Sequence, residues 1–258
     1  LQQPWPSYFI VETSADLRQR QQNFLQQQLS TGDFAKLHWL DRLPTDFNGL
    51  VLGNEVLDAM PVNVVLKDHG WHELGVAFDG TRFGWQVVAG HTPALDAIEA
   101  IDQQIQLPEG YCTEINLNYG PWCQALAQSC DHARVLLIDY GYERAQYYHP
   151  VRVSGTLMCF YRHRAHPDPL VYPGLQDITA FVDFDAFADA AETAGFKVES
   201  LNHQARFLLD HGLLDVAAEA EDQLLAAQQV KQLTLPGEMG EKFKVIELSV
   251  DQGLRNSI

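Results

Sequence analysis

The chain has few basic residues and no long apolar run. Lysine and arginine number 17 against 34 aspartates and glutamates, which leaves a net charge of -17. Binding a phosphate backbone needs a basic surface, so nucleic acid is excluded as the main partner. A small ligand or a cationic protein segment remains open. No stretch approaches the roughly 18 apolar residues of a membrane helix. The opening LQQPWPSYFIVE has neither a basic n-region nor a leader-like segment, so the expectation is a cytoplasmic protein with no membrane partner. The four cysteines (Cys112, Cys123, Cys130, Cys159) contain no C-x-x-C pair and are too scattered for a disulfide framework. They read as reduced, mostly buried thiols. His163 and His166 stand three apart in YRHRAHPDP, but the proline-containing context reads as a loop without a third ligand, so no metal is expected. A G-x-G-x-x-G dinucleotide fingerprint is also missing.

What is there is ordinary globular material, 46% hydrophobic and 20% charged over 258 residues. No linker rich in Gly, Ser or Pro divides it, so residues 1–258 read as one domain. Strands and helices alternate. Tyr8–Glu12 reads as a strand, followed by a helix capped at Thr13 or Ser14 and running to about Leu29, with Leu17, Phe24, Leu25 and Leu29 as its apolar face. Lys36–Leu40 is a short strand ending at Asp41. Residues 62–90 carry Asp-His-Gly and Asp-Gly turns between runs rich in Val, Phe and Trp, which predicts an antiparallel β insertion. Trp71, Phe78, Phe83 and Trp85 would form its small core. Helices follow around 93–105 and 119–129. Ala133–Asp139 is apolar enough for a buried parallel strand. Residues 142–180 look loop-rich. Asp183–Ala194 reads as a helix stopped at Gly195, with a strand over Phe196–Leu201, a helix over 215–230 and a closing strand over Phe243–Val250. This order predicts an α/β fold, a doubly wound and mostly parallel sheet.

The segment NGLVLGNEVLDAMP, residues 48–61, carries the strongest local signal. Leu50–Leu52 reads as a buried strand that ends at Gly53-Asn54 and feeds a helix. Glu55 and Asp58 would share one face of its first turn. Ligands of open α/β sheets bind outside the carboxyl ends of the strands. The plainer reading is that these acids complement the helix dipole.

Taken together, YFIVETSADLRQRQ, HWLDRLP, GLVLGNEVLDAMPVN, TEINLNYGPW, VLLIDYGY, SGTLMCFYRH, PGLQDITAFVDF and GEMGEKFKVIEL resemble, in that order, the MidA-type family of class I S-adenosylmethionine-dependent methyltransferases. That family includes the mitochondrial complex I assembly factor that methylates a protein arginine. The resemblance covers about residues 8–250. It implies a class I methyltransferase (Rossmann-like) fold with S-adenosylmethionine as cofactor and, as partner, a protein substrate with an accessible arginine. Family members begin with a further segment bearing an ELG-x-G-x-G type loop, absent here, so the chain looks like part of such an enzyme. Phe181 also departs from the family, whose members often place histidine there.

The resemblance implies that Glu12 takes the ribose hydroxyls and that Leu40 and Asp41 flank the adenine. It sets Asn54 and Glu55 beside the transferred methyl and Asp139, Tyr140 and Gly141 on the substrate side. An arginine acceptor is held through paired N–H bonds to carboxylates. Glu55 and Asp58 are the candidate catalytic pair, with Asn54 beside them and Glu114 as a third acid. The insertion, taken as 62–110, and the 142–180 loops would wall the substrate side, and a homodimer contact through the same surface is another reading. Two rival functions stand beside this one: a non-catalytic assembly or binding module that retains the fold, and a nicotinamide-dependent oxidoreductase, which the motifs disfavour.

Overall fold

The computed structural model describes residues 6–251 and 253; residues 1–5, 252 and 254–258 of the expected single domain lie outside the described residues. Strand β1 (Tyr8–Val11) leads into helix α1 (Ala15–Gln28), whose first turn is closed by Ser14 accepting from the Leu17 amide at 3.3 Å. A short turn of helix, α2 (Thr31–Phe34), precedes β2 (Leu37–Leu40), which pairs with β1 in parallel. No residue of α1 is buried: Leu17 and Phe24 of its expected apolar face point into solvent.

Strand β3 (Phe47–Asn54) opens the main sheet. The insertion follows as β4 (Asn63–Lys67), β5 (Trp71–Phe78), β6 (Phe83–Val87), α3 (Pro93–Ile105) and β7 (Cys112–Ile115). Its strands form one antiparallel sheet in the order β6-β5-β4-β7, with the turns where Asp-His-Gly and Asp-Gly predict them. The sheet reaches past residue 110 to Ile115, because TEI pairs with β4 rather than entering a loop. Helix α3 covers one face, burying Val65, Ile98 and Tyr111 with Tyr147 and Tyr148 in a second core. Lys67 Nζ, bonded to Asp102 at 2.6 Å and to the Leu107 carbonyl at 2.8 Å, pins the end of that helix to β4.

The rest of the chain is α4 (Tyr119–Ser129), β8 (Cys130–Tyr142), α5 (Arg144–Tyr147), β9 (Met158–Tyr161), β10 (Arg164–His166), β11 (Asp177–Thr179), β12 (Val182–Asp183), α6 (Phe184–Ala194), β13 (Lys197–His203), α7 (Gln204–Asp210), α8 (Leu213–Ala218), α9 (Gln223–Thr234) and β14 (Phe243–Asp251). In the main sheet β3 and β12 run parallel to β8 along one edge, and β14 runs antiparallel along the other. β13 is antiparallel to β14 and therefore runs with β8. Four of the five strands thus share a direction, giving the mostly parallel α/β sheet the alternation predicts. Asp183 caps α6 and Gly195, at φ 94°, ends it in a left-handed turn. Phe184 and Phe187 of α6 pack with Leu126 of α4 over Val135, Leu137, Ile246 and Leu248 in the main core. Burying each phenylalanine contributes about 1.5–3 kcal/mol.

Several expectations are corrected. Leu50 and Leu52 are each 59% exposed, on the face of β3 opposite Val51, which packs on the core; the strand is therefore not buried on both faces. No helix follows it. Asn54 is still strand, Glu55 turns left-handed at φ 51° with its amide bonded to the Ile138 carbonyl at 2.9 Å, and residues 55–62 are an irregular turn ending near Pro61. Phe78, Phe83 and Trp85 do not fill an inner core but lie exposed on the sheet face away from α3; Trp71 alone of the four joins the second core. The helix expected over 215–230 is two helices, divided where Asp222 caps α9. His163 sits at the tip of a two-residue hairpin between β9 and β10, not in a proline loop.

Candidate functional site

A cleft of about 800 Å³ opens at the carboxyl end of β8, between the turn after β3, the β9–β10–β11 sheet and the start of β14. Its walls are aromatic (Tyr140, Tyr142, Phe160, Phe181, Phe243) and its charges are of both signs, Glu55 and Asp177 against Arg162 and Lys242, with His163 beside them. The ring of Tyr140 stands edge-on to Phe181 at 5.1 Å and to Phe243 at 5.5 Å, which fixes it in the wall. Arg162 and His163 are presented by a turn in which both residues have positive φ, 51° and 63°. Non-glycine residues seldom occupy that region, so the hairpin holds them there at some strain.

Beneath the cleft lies a buried acidic pair. Asp139 accepts from the Leu57 and Asp58 amides through Oδ2, at 2.9 and 3.2 Å, and from the Tyr140 amide through Oδ1. The turn after β3 is thereby folded back onto β8. Tyr140 in turn donates its hydroxyl to Asp58 Oδ2. Burial, with Asp58 as neighbour, pushes the Asp139 carboxyl up to about 7. Burial likewise raises Asp58, against the opposing Tyr140 hydrogen bond, and Glu55 and Asp177 add to the rise. Two carboxyls in such a setting titrate as a pair.

The expected carboxylate pair is therefore split. Glu55 is exposed at the cleft, whereas Asp58 is buried behind it and reaches the cleft only through Tyr140. The helical spacing that would have set them side by side does not exist there. Asn54 ends β3 and donates to Glu55 Oε1 at 3.3 Å. Glu114 is 2% exposed and spends its oxygens within the protein: they accept from the Thr156 amide and hydroxyl, the Leu157 amide and the Tyr147 hydroxyl. Burial still raises its carboxyl. Asp139, Tyr140 and Gly141 lie within β8 rather than after it, and Gly141 is needed for packing, since a Cβ there would meet the Val182 carbonyl oxygen at 2.1 Å. Phe160, Asp177, Lys242 and Phe243 were not singled out by the sequence; the only signal for Lys242 and Phe243 was their place in GEMGEKFKVIEL.

A second set of residues ends the parallel pair β1–β2. Glu12 donates its amide to the Leu40 carbonyl at 3.0 Å, so Glu12, Leu40 and Asp41 sit together at the carboxyl ends of the two strands. The Glu12 carboxylate accepts from the Ser14 amide at 2.8 Å on one oxygen and from Gln21 Nε2 at 3.2 Å on the other. Each oxygen keeps a lone pair, so the group is oriented and still able to take a vicinal diol. That fits the ribose of a nucleoside cofactor. The four cysteines are free, three of them buried, and burial pushes Cys123 up to about 12. Among the described residues, Asp68, His69 and Glu109 could approach one metal ion, but all three are exposed surface groups and none lines the cleft.

Comparison with known proteins is a separate line of evidence. A family model described as "Putative S-adenosyl-L-methionine-dependent methyltransferase" matches residues 3–202. A mitochondrial protein arginine methyltransferase NDUFAF7 homolog of Drosophila melanogaster is 27% identical over 245 residues, 86% of this chain and 52% of its own length. Its mouse counterpart is 33% identical over 224 residues, 80% of this chain and 47% of its own. The chain thus spans about half the length of the curated relatives it matches. A Burkholderia thailandensis protein crystallised with S-adenosyl-homocysteine superposes with a TM-score of 0.87 at 42% identity, covering 95% of this chain and 64% of that one.

Proposed function

This chain belongs to that methyltransferase family, and from there we propose that it transfers a methyl group from S-adenosylmethionine to an arginine of a protein substrate. The observation that carries the reading is the likeness, over 95% of the chain, to a solved protein that holds S-adenosyl-homocysteine. When bound, S-adenosylmethionine supplies an electrophilic methyl on a sulfonium sulfur. Glu12 would hold the ribose diol, with Leu40 and Asp41 against the adenine and Asn54 nearest the sulfur.

The arginine assignment rests on the cleft and on the names of the relatives, which are protein arginine methyltransferases. A guanidinium suits the aromatic walls of the cleft and the two carboxylates that line it, Glu55 and Asp177. Glu55 accepts its N–H groups and aims one nitrogen. Methylation of that nitrogen releases a proton, and the Asp58–Asp139 pair, linked to the cleft by Tyr140, has a place for it near neutral pH. Asp58 is in this scheme a positioning residue, since it acts through Tyr140. A cytoplasmic location remains part of the proposal, to be checked by fractionation, because the named animal relatives are mitochondrial.

The test combines calorimetry and turnover. S-adenosyl-homocysteine is expected to bind, and Glu12→Ala to weaken it at least tenfold. Glu55→Gln is expected to leave that binding unchanged and to lower methyl transfer to an arginine-bearing protein by about 10²-fold or more, the scale of a lost charge-assisted contact in a transition state. Binding indifferent to Glu12→Ala, or transfer indifferent to Glu55→Gln, would remove those residues from their roles. Binding of NADH alone would overturn the cofactor reading.

A further inference from the structure

Between the insertion and the main core lies a second cavity, of about 330 Å³. The Phe181 ring lines both this cavity and the cleft, so it forms the wall between them. Much of the inner lining is apolar, including Ala97 and Ile101 of α3. Gln104, Glu114, Asn116 and Asp189 add polar groups, and two further ones, Arg144 and Asp183, meet in it, each already tethered at its other end. Arg144 donates its backbone amide to Asp185 at 2.9 Å and its Nη2 to Asp189 at 2.8 Å. Asp183 uses Oδ1 to cap α6 through the Ala186 amide at 3.0 Å. What is left over is Arg144 Nε and Asp183 Oδ2. They form an ion pair at 3.8 Å, too far for a direct hydrogen bond, and among the described residues neither atom has a hydrogen-bond partner.

Asp183 is 4% exposed, and burial pushes its carboxyl up to about 6. Buried donors and acceptors are nearly always paired, so an orphaned pair side by side asks for a bridging group. One oxygen that carries one hydrogen satisfies both: it accepts from Nε and donates to Oδ2. The surrounding walls ask for hydrocarbon. We propose that this cavity is a binding site for a small apolar alcohol, its hydroxyl bridging Arg144 and Asp183 and its hydrocarbon body lying against Ala97, Ile101 and Phe181. A water molecule can bridge the same two atoms but leaves those apolar walls uncovered. The site is distinct from the cleft and does not depend on the methyl-transfer reading.

The probes are cyclohexanol and methoxycyclohexane, titrated into the whole protein while the Ile101 methyl resonance is followed by NMR. The ether keeps the acceptor oxygen and loses the donor hydrogen. The expected result is a saturable shift with cyclohexanol at a dissociation constant on the order of 1 mM, reasonable for so few atoms. The ether should bind at least tenfold more weakly. Ala100→Phe, which fills the cavity from a solvent-facing helix position and leaves Arg144 and Asp183 in place, should abolish the shift. Ala97→Leu serves the same purpose if the phenylalanine variant does not fold. Absence of a saturable shift up to the solubility limit, equal affinity for alcohol and ether, or a shift that survives the filled variants would each overturn the proposal and leave the pair to water alone.

Discussion

Gly155 shows how much one residue can hold in place. Its φ of 70° is left-handed, and a Cβ there would fall 2.2 Å from Glu114 Oε1. Gly155→Ala therefore adds backbone strain and drives a buried carboxylate off the amides of Thr156 and Leu157. The expected cost is about 2–4 kcal/mol, seen as a lower urea midpoint with unchanged m-value. Little of this was legible in the sequence. The acids of the site could be picked out as residues, because carboxylates beside apolar strands stand out locally. Their partners could not: Tyr140 reaches Asp58 across 82 positions, and the loop that occupies Glu114 lies about 42 positions away. Chemistry made by chain reversal leaves no spacing to read.

At the scale of elements, the segments read correctly were those whose signal is local. The apolar run at the heart of β8, the Gly stop of α6, and the turn residues of the insertion all act within a few positions. The helix expected after β3 failed because tertiary bonds to Asp139 hold that turn open against the local pattern. The insertion's aromatics were misplaced for a related reason: alternation tells which side chains share a face, not whether anything covers it. Val76 stands opposite Trp85, and Phe78 opposite Phe83, so β5 and β6 show one continuous apolar face beside the edge of β6 that pairs with no other strand among the described residues. Trp85→Lys should shorten retention on a hydrophobic-interaction column while changing stability by no more than about 0.5 kcal/mol. A large loss of stability would mean that the face is covered in solution.

For the molecule as a whole, the buried acids set the response to pH. Asp139, raised to about 7, and Asp183, raised to about 6, both hold protons in the folded state that the unfolded chain has already released. The folded form binds more protons, so these groups make stability fall as pH rises from about 4, Asp183 ceasing to contribute near 6 and Asp139 near 7. Each contributes a slope of up to about 1.4 kcal/mol per pH unit within its window. Urea unfolding at pH 5.5 and 7.5 should show the wild type losing more stability than Asp139→Asn over that interval; equal losses would mean that Asp139 does not titrate there. The overall α/β order was legible, whereas the exposure of Leu50 and Leu52 was not, since it depends on what lies above β3 rather than on β3 itself. One last consequence follows from β8. Over Cys130–Tyr142 it is bonded to β3 and β12 along one edge and to β14 along the other, while no residue of α1 is fully buried. In deuterated water the β8 amides should be the last to exchange and those of α1 among the first. The strand that anchors Asp139 and Tyr140 would then keep its protons until the whole sheet opens, so local breathing elsewhere leaves the floor of the cleft intact.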